Sequence, residues 1–160
     1  MNLAEVSKEQ DIPTSSGKNY TAVHTGKFGG LLQYKLQHPA REKPVRGKLF
    51  LKDHLGLTGM QVSLNTLPAG IAVPFSHKHK KNEELYIFVK GRGQIQIDGD
   101  IIDVEEGTAV RVAPDGERTW RNNSEEDLHY VVIQAAENSL TQDTFDDGIP
   151  GSSAPVWPAT

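Results

Sequence analysis

From Met60 onward the chain repeats one device: a short run in which apolar and polar side chains alternate, then a turn, then another run. MQVSLNTL sets Met60, Val62 and Leu64 against Gln61, Ser63 and Asn65. Period two is the signature of a half-buried strand, because successive side chains leave opposite faces. AVPFSHKH, ELYIFVKG, GQIQIDGDIIDV, TAVRVAP, RTWRN and LHYVVIQA follow. Turn signals recur roughly every eight to twelve residues, and Asp98-Gly99 suits a type I′ hairpin. No convincing amphipathic helix interrupts the series. Strands at this spacing close into a sandwich or barrel, so the fold class is all-β.

The 160 residues fit one domain with a sizeable core. Residues 1–19 read as a polar arm, 20–136 as a single β-barrel domain, and 137–160 as a Pro/Gly/Ser-rich tail. Phe145 and Trp157 are expected to anchor that tail loosely over the body. Within 20–36, YTAVHT and LLQYKL read as edge strands around the flexible GKFGG. GKLFLKDHLGLTG reads as a strand from Lys48 to Leu51, then a helical turn stopped at Gly56.

Composition removes whole classes of function. Without a cysteine there is no disulfide, thiolate metal site or cysteine nucleophile. Net charge is −4, from 17 basic and 21 acidic residues that are well mixed, which gives no basic stripe for nucleic acid. No segment has a signal-peptide core or transmembrane length, so a soluble, cytoplasmic protein without membrane or nucleic-acid partners is expected.

The chemistry concentrates in SHKHKKNEELYIFVKG, residues 76–91. His77 and His79 lie two apart on an extended segment, so both side chains leave one face, their Cα atoms roughly 6.6 Å apart. Two imidazoles at that spacing can share one ion, and a neighbouring carboxylate completes a two-His, one-acid set with open positions. Glu83 and Glu84 both compete for the third place, and periodicity does not separate them.

Here the sequence resembles the cupin superfamily. Gly70, His77, His79, Glu84 and Gly91 match the first cupin motif, with spacing H-x-H-x₄-E-x₆-G that selects Glu84. The gap from Gly70 to His77 is one residue longer than usual. Gly107, Pro114, Gly116 and Asn123 match the second motif in GTAVRVAPDGERTWRNN. The resemblance implies a small double-stranded β-helix barrel, commonly a homodimer, with a metal inside it. It also implies a fourth ligand, a histidine, at the position where this chain has Thr119. The expected centre is therefore His77, His79 and Glu84 around a divalent transition ion (Fe, Mn, Ni or Zn), open on one side.

His129 on LHYVVIQA is read as an exposed histidine at a strand start rather than a replacement ligand, and His24, His38 and His54 as surface or capping residues. Arg121 shares a face with Thr119; it either meets an anionic substrate or pairs at the rim with Glu125 or Glu126. Gln61, Ser63 and Asn65 are read as the solvent side of their strand. Tyr86 is a candidate acid or hydrogen-bond donor, against a purely structural role. Lys78, Lys80 and Lys81 read as a solvated loop edge. Three functions follow: a metal-dependent enzyme acting on a small molecule (dioxygenase-like, or an isomerase or decarboxylase), a non-catalytic small-molecule-binding cupin, or a structural barrel with a vestigial site.

Overall fold

The alternating runs become antiparallel strands, and the turns between them close the chain into two facing sheets. A computed structural model describes residues 12–37 and 42–159; residues 1–11, most of the expected arm, and His38 lie outside the described residues. A hairpin of β1 (Thr14–Gly17) and β2 (Tyr20–Val23) comes first, so residue 19 falls in its turn rather than at the end of an arm. A short pair, β3 (Lys35–Leu36) and β4 (Val45–Arg46), follows. Next come β5 (Lys48–Phe50) and one helical turn, α1 (Lys52–Leu55), ended by Gly56 at φ 68°. The remaining strands are β6 (Gln61–Leu67), β7 (Asn82–Lys90), β8 (Arg92–Ile97), β9 (Asp100–Glu105), β10 (Ala109–Val112), β11 (Arg118–Arg121) and β12 (Leu128–Ala136). They form a five-stranded sheet, β10-β7-β12-β6-β5, and a three-stranded sheet, β11-β8-β9.

Two turns carry backbone demands that the sequence meets. Asp98 and Gly99 join β8 to β9 with φ 51° and 95°, both positive as a type I′ turn requires. Gly91 joins β7 to β8 at φ 87°, and a Cβ there would stand 2.4 Å from the Asp127 carbonyl oxygen. Only glycine fits.

The core lies between the sheets. Tyr86, Phe88, Val112, Leu128, Tyr130 and Val132 come from the large sheet or its edge; Ile95 and Val104 come from the small one, with Trp120 packed against them. A second cluster covers the outer face of β5 and β6, where Leu49, Leu51, Val62 and Leu64 meet Ile12, Val23, Phe28, Leu31 and Tyr34. LLQYKL, expected as an edge strand, begins instead in a 3-10 turn, Phe28–Gln33, that drops Leu31 into this cluster.

That second cluster corrects one expectation. β6 is covered on both sides, so its polar row Gln61, Ser63 and Asn65 is not a solvent face but lines the barrel cavity. Alternation tells which residues share a face; what packs on the other face decides which one is inside. The tail is a second correction. Phe145 is 98% and Trp157 84% exposed, so neither anchors the tail to the body. Apart from a 3-10 turn at Phe145–Asp147 the described residues of the tail form no regular element, and Leu140, Ile149 and Val156 are exposed as well.

Candidate metal centre

The His-Lys-His segment is not a regular strand, yet β11 holds it in place. His77 N–H donates to the Arg118 carbonyl at 3.1 Å, and Arg118 N–H returns a bond to the His77 carbonyl at 2.9 Å. His79 N–H donates to the Pro114 carbonyl at 2.9 Å. Both imidazoles thereby face the inner side of β7, where alternation buries Glu84, Tyr86 and Phe88 and turns Glu83 outward to Arg111.

His77, His79 and Glu84 each bring one potential ligand atom within 4.8 Å of the other two. The His79 Nε2 to Glu84 Oε1 distance is 3.1 Å. Two donors bound at about 2.1 Å to one ion stand roughly 3 Å apart, so this pair already has ligand spacing. His77 Nδ1 is buried without a hydrogen-bond partner. A buried nitrogen left unpaired is costly, and an ion or its water shell would satisfy this ring. Oxygen and nitrogen donors of this kind suit a first-row divalent metal, so the residues fit such an ion.

Several side chains support Glu84. Tyr86 OH donates to Glu84 Oε2 at 2.7 Å, and Arg118 Nε donates to the same oxygen at 3.2 Å. Arg118 Nη2 lies 3.2 Å from Oε2 but off hydrogen-bond alignment, so contact there is electrostatic. Arg118 is 0% exposed, and its Nη1 donates to the Gly116 and His77 carbonyls. The Gln134 amide nitrogen donates to Glu84 Oε1 at 3.2 Å and sits 3.0 Å from His79 Nε2. An ion entering between His79 and Glu84 would have to turn that amide away.

Charge states follow from these neighbours. Burial alone would raise the Glu84 carboxyl, but Tyr86, Arg118, His79 and Gln134 together hold it below the ordinary carboxylate range. Burial, then the Arg118 charge, lowers His77, which keeps its ring neutral as a ligand needs. Burial, and the Glu84 charge beside it, push the Tyr86 phenol upward, so it stays protonated and acts as a donor.

These three side chains open onto a cavity of about 1340 Å³, whose wall also carries Lys48, Ser63, Asn65, Trp120 and Tyr130. Trp120 Nε1 donates to Tyr130 OH at 2.7 Å, and its ring lies 6.1 Å from that of His77.

A model of the cupin domain matches residues 64–134. A cupin protein from Bacteroides fragilis is 38% identical, with a TM-score of 0.63 over 73% of this chain and 97% of that one. The chain belongs to the cupin family. A protein from Photorhabdus luminescens (22% identity, TM-score 0.51, 56% of this chain and 74% of that one) has the same fold. So does a putative sugar phosphate isomerase from Acidithiobacillus ferrooxidans (22%, 0.50, 55% and 57%). Among curated proteins, none matches the chain.

Within the cupin barrel the second motif needs correcting. Motif spacing puts Thr119 at the fourth-ligand position, and a shared face puts Arg121 either against an anionic substrate or at the rim with Glu125 or Glu126. β11 is in the opposite phase: Arg118 and Trp120 point inward, while Thr119 and Arg121 face out with Gln96 and Gln94. Thr119 Oγ1 donates to the Val73 carbonyl, and Arg121 is exposed and donates to Gln94, not to Glu125 or Glu126. The same one-residue displacement recurs at Asn123, which is exposed, whereas Asn122 is buried and donates to the Leu67 and Glu126 carbonyls. In this cupin a guanidinium, Arg118, therefore occupies the inward place beside Glu84.

His129 is buried, not exposed, and stands outside the group formed by His77, His79 and Glu84. Its Nδ1 lies 2.9 Å from Thr66 Oγ1 and its ring packs on Phe28, on the side of the sheet away from the three ligands. His24 is exposed and His54 sits on α1. Arg118, Gln134 and Lys48 went unread in the sequence; only their inward phase on β11, β12 and β5 singles them out.

Proposed function

We propose that this cupin binds a divalent transition metal through His77, His79 and Glu84 and holds a small molecule in the cavity above it. The observation that carries this reading is the convergence of two imidazoles and one carboxylate, with His77 Nδ1 otherwise unpaired. Arg118, Tyr86 and Gln134 keep Glu84 ionised and oriented, and the Trp120 and Tyr130 rings line the cavity beside the site. When bound, such an ion supplies a Lewis acid or a dioxygen-binding position with coordination sites to spare. Dioxygenase-like chemistry is the enzymatic form of this proposal, with isomerase or decarboxylase chemistry open to a redox-inert ion.

One observation favours a second, non-catalytic reading. The Arg118 charge neutralises Glu84 and repels an incoming cation, which weakens the site relative to a neutral fourth ligand. A small-molecule-binding cupin without resident metal is then the alternative.

Elemental analysis of untagged protein separates the two. Near-stoichiometric metal that disappears in His77→Ala and Glu84→Ala is expected; a metal-free parent that takes up none on reconstitution leaves the binding-only reading. Oxygen uptake with catechol and diketone substrates then tests dioxygenase chemistry.

Homodimerisation is proposed as well. The outer faces of β7 and β12 pair Ile87 with Val131 and Leu85 with Ile133, a half-buried apolar surface turned away from the cavity. Sedimentation velocity should give twice the monomer mass, and a monomer at micromolar concentration would refute it. Among the described residues no helix is long and apolar enough to cross a membrane.

A further inference from the structure

Opposite the histidines, the cavity holds a cation that the metal centre does not use. Lys48 on β5 lies directly across from Asn65 in register, and its chain runs into the cavity along the inner face of the sheet. Its Nζ donates to Asn65 Oδ1 at 3.0 Å and to Ser63 Oγ at 3.2 Å, and sits 4.9 Å from the centre of the Phe50 ring. At the cavity mouth Lys52 pairs with Asp53, and Arg118 pairs with Glu84. Among the described residues no carboxylate lies within ion-pair distance of Lys48, although the Glu84 charge acts on it from farther off.

Counting donors and acceptors shows what is missing. An ammonium can only donate, so Asn65 must turn its oxygen toward Lys48 and its amide nitrogen away. That nitrogen donates to Ser63 Oγ and to the Ser63 carbonyl, both at 3.0 Å. Ser63 Oγ therefore accepts from two donors, Lys48 and Asn65, which uses its lone pairs. Its own proton has no acceptor among the described residues. Ser63 is 2% and Asn65 1% exposed, so bulk water does not supply one freely. Beyond Asn65 and Ser63, Lys48 Nζ has no hydrogen-bond acceptor among the described residues; the centre of the Phe50 ring lies 4.9 Å away. Two adjacent donors, one of them charged, are thus presented to the cavity with no protein acceptor. The complement of such a pair is an anion with two oxygens in one plane. Burial pushes the Lys48 ammonium down to about 8, with the Glu84 charge opposing, as expected of a cation awaiting a counter-ion.

We propose that Lys48 and Ser63 form an anchoring subsite for the carboxylate of a small organic acid, holding the rest of the molecule toward His77, His79 and Glu84. The inference rests on reading the cavity as a small-molecule site, and does not depend on whether a metal is bound. Asn65 acts as a positioning residue: it fixes the Lys48 ammonium and forces the Ser63 proton outward.

The test is calorimetric titration of the full-length protein, as purified and after chelator treatment, with benzoate and malonate. Benzamide, malonamide and inorganic phosphate serve as controls. At least one acid should bind, its amide should bind about tenfold more weakly or not at all, and phosphate should bind no better than the amide. Lys48→Met should lower the acid's affinity by about tenfold or more, Lys48→Arg should restore part of it, and Ser63→Ala should lower it by about threefold. Arg121→Ala, removing an exposed cation on the outer face of β11, should leave it within about threefold. Ser63→Ala keeps the test decisive if Lys48→Met does not fold. No binding of either acid, unchanged affinity in both Lys48→Met and Ser63→Ala, or phosphate binding as tightly as the acids would each overturn the subsite. Loss of binding in His77→Ala with retention in Lys48→Met would place the carboxylate on the metal and overturn it too. A metal-free parent protein would sink the metal proposal and leave this measurement standing.

Discussion

Two segments of this cupin face the same cavity, and they translate from sequence to structure very differently. In 76–91, His77, His79 and Glu84 converge as their spacing suggests. In 107–123 the inward residues are Arg118 and Trp120, one place away from where motif counting puts them. The difference lies in what each pattern encodes. H-x-H on an extended chain fixes two side chains relative to each other, whichever face they take. A single position such as Thr119 carries no such internal reference, and a slip of one residue sends it to the opposite face. Paired signals survive uncertainty in register; single ones do not.

Stability offers the largest way to break that comparison. Arg118→Ala leaves Glu84 buried without its cation and should cost about 3–5 kcal/mol in urea denaturation. Thr119→Ala, losing one bond to Val73, should cost about 1 kcal/mol. Arg121→Ala, on the exposed face, should stay within about 0.5 kcal/mol. Equal costs at Arg118 and Thr119 would put β11 in the other phase.

Metal affinity gives a sharper contrast of smaller size. Arg118→His replaces the repelling cation with an inward ligand and should raise zinc affinity at least about tenfold. Thr119→His adds an imidazole on the outer face and should change affinity less than about twofold. Competitive titration against a chromophoric chelator measures both, and a gain at Thr119→His alone would reverse the assignment.

Acid titration tests the first segment by itself, in metal-free protein. His77 is held below its ordinary value, so as pH falls below about 6.5 the unfolded chain takes up the proton first and stability declines. Glu84 is likewise depressed, so its contribution is complete above the ordinary carboxylate value and is lost as pH falls through the lowered one. Two successive declines are expected between pH 7.5 and 3: the upper is reduced by His77→Ala, the remainder coming from His129, which burial also lowers, and the lower is removed by Glu84→Gln. A slope untouched by either variant would mean that these groups sit in ordinary surroundings.

Much of the barrel was legible because β6 to β12 alternate cleanly and their turns carry the required Gly and Asp residues. His77 and His79 were legible for the reason given above, whereas Glu84 was separated from Glu83 only by the resemblance to the first cupin motif. Lys48, Ser63 and Asn65 were not, because a polar row on a strand reads as solvent-facing. Only Ile12, Leu31 and Tyr34, distant in sequence, reveal that the opposite face is already covered. Arg118 was hidden in a similar way: a buried arginine is rare enough that its sequence neighbour Arg121 looked the more useful, and only the contact with Glu84 explains it. The tail misled in the other sense, since Phe145 and Trp157 look like anchors until no regular element gathers them.

The most direct test of the central claim is anomalous diffraction from a crystal of the untagged protein soaked in cobalt. The account predicts one strong peak about 2.0–2.3 Å from a ring nitrogen of His77, a ring nitrogen of His79 and a carboxylate oxygen of Glu84, with the Gln134 amide turned aside. A crystal whose cobalt binds elsewhere, leaving the two imidazoles and the Arg118–Glu84 pair undisturbed, would contradict it.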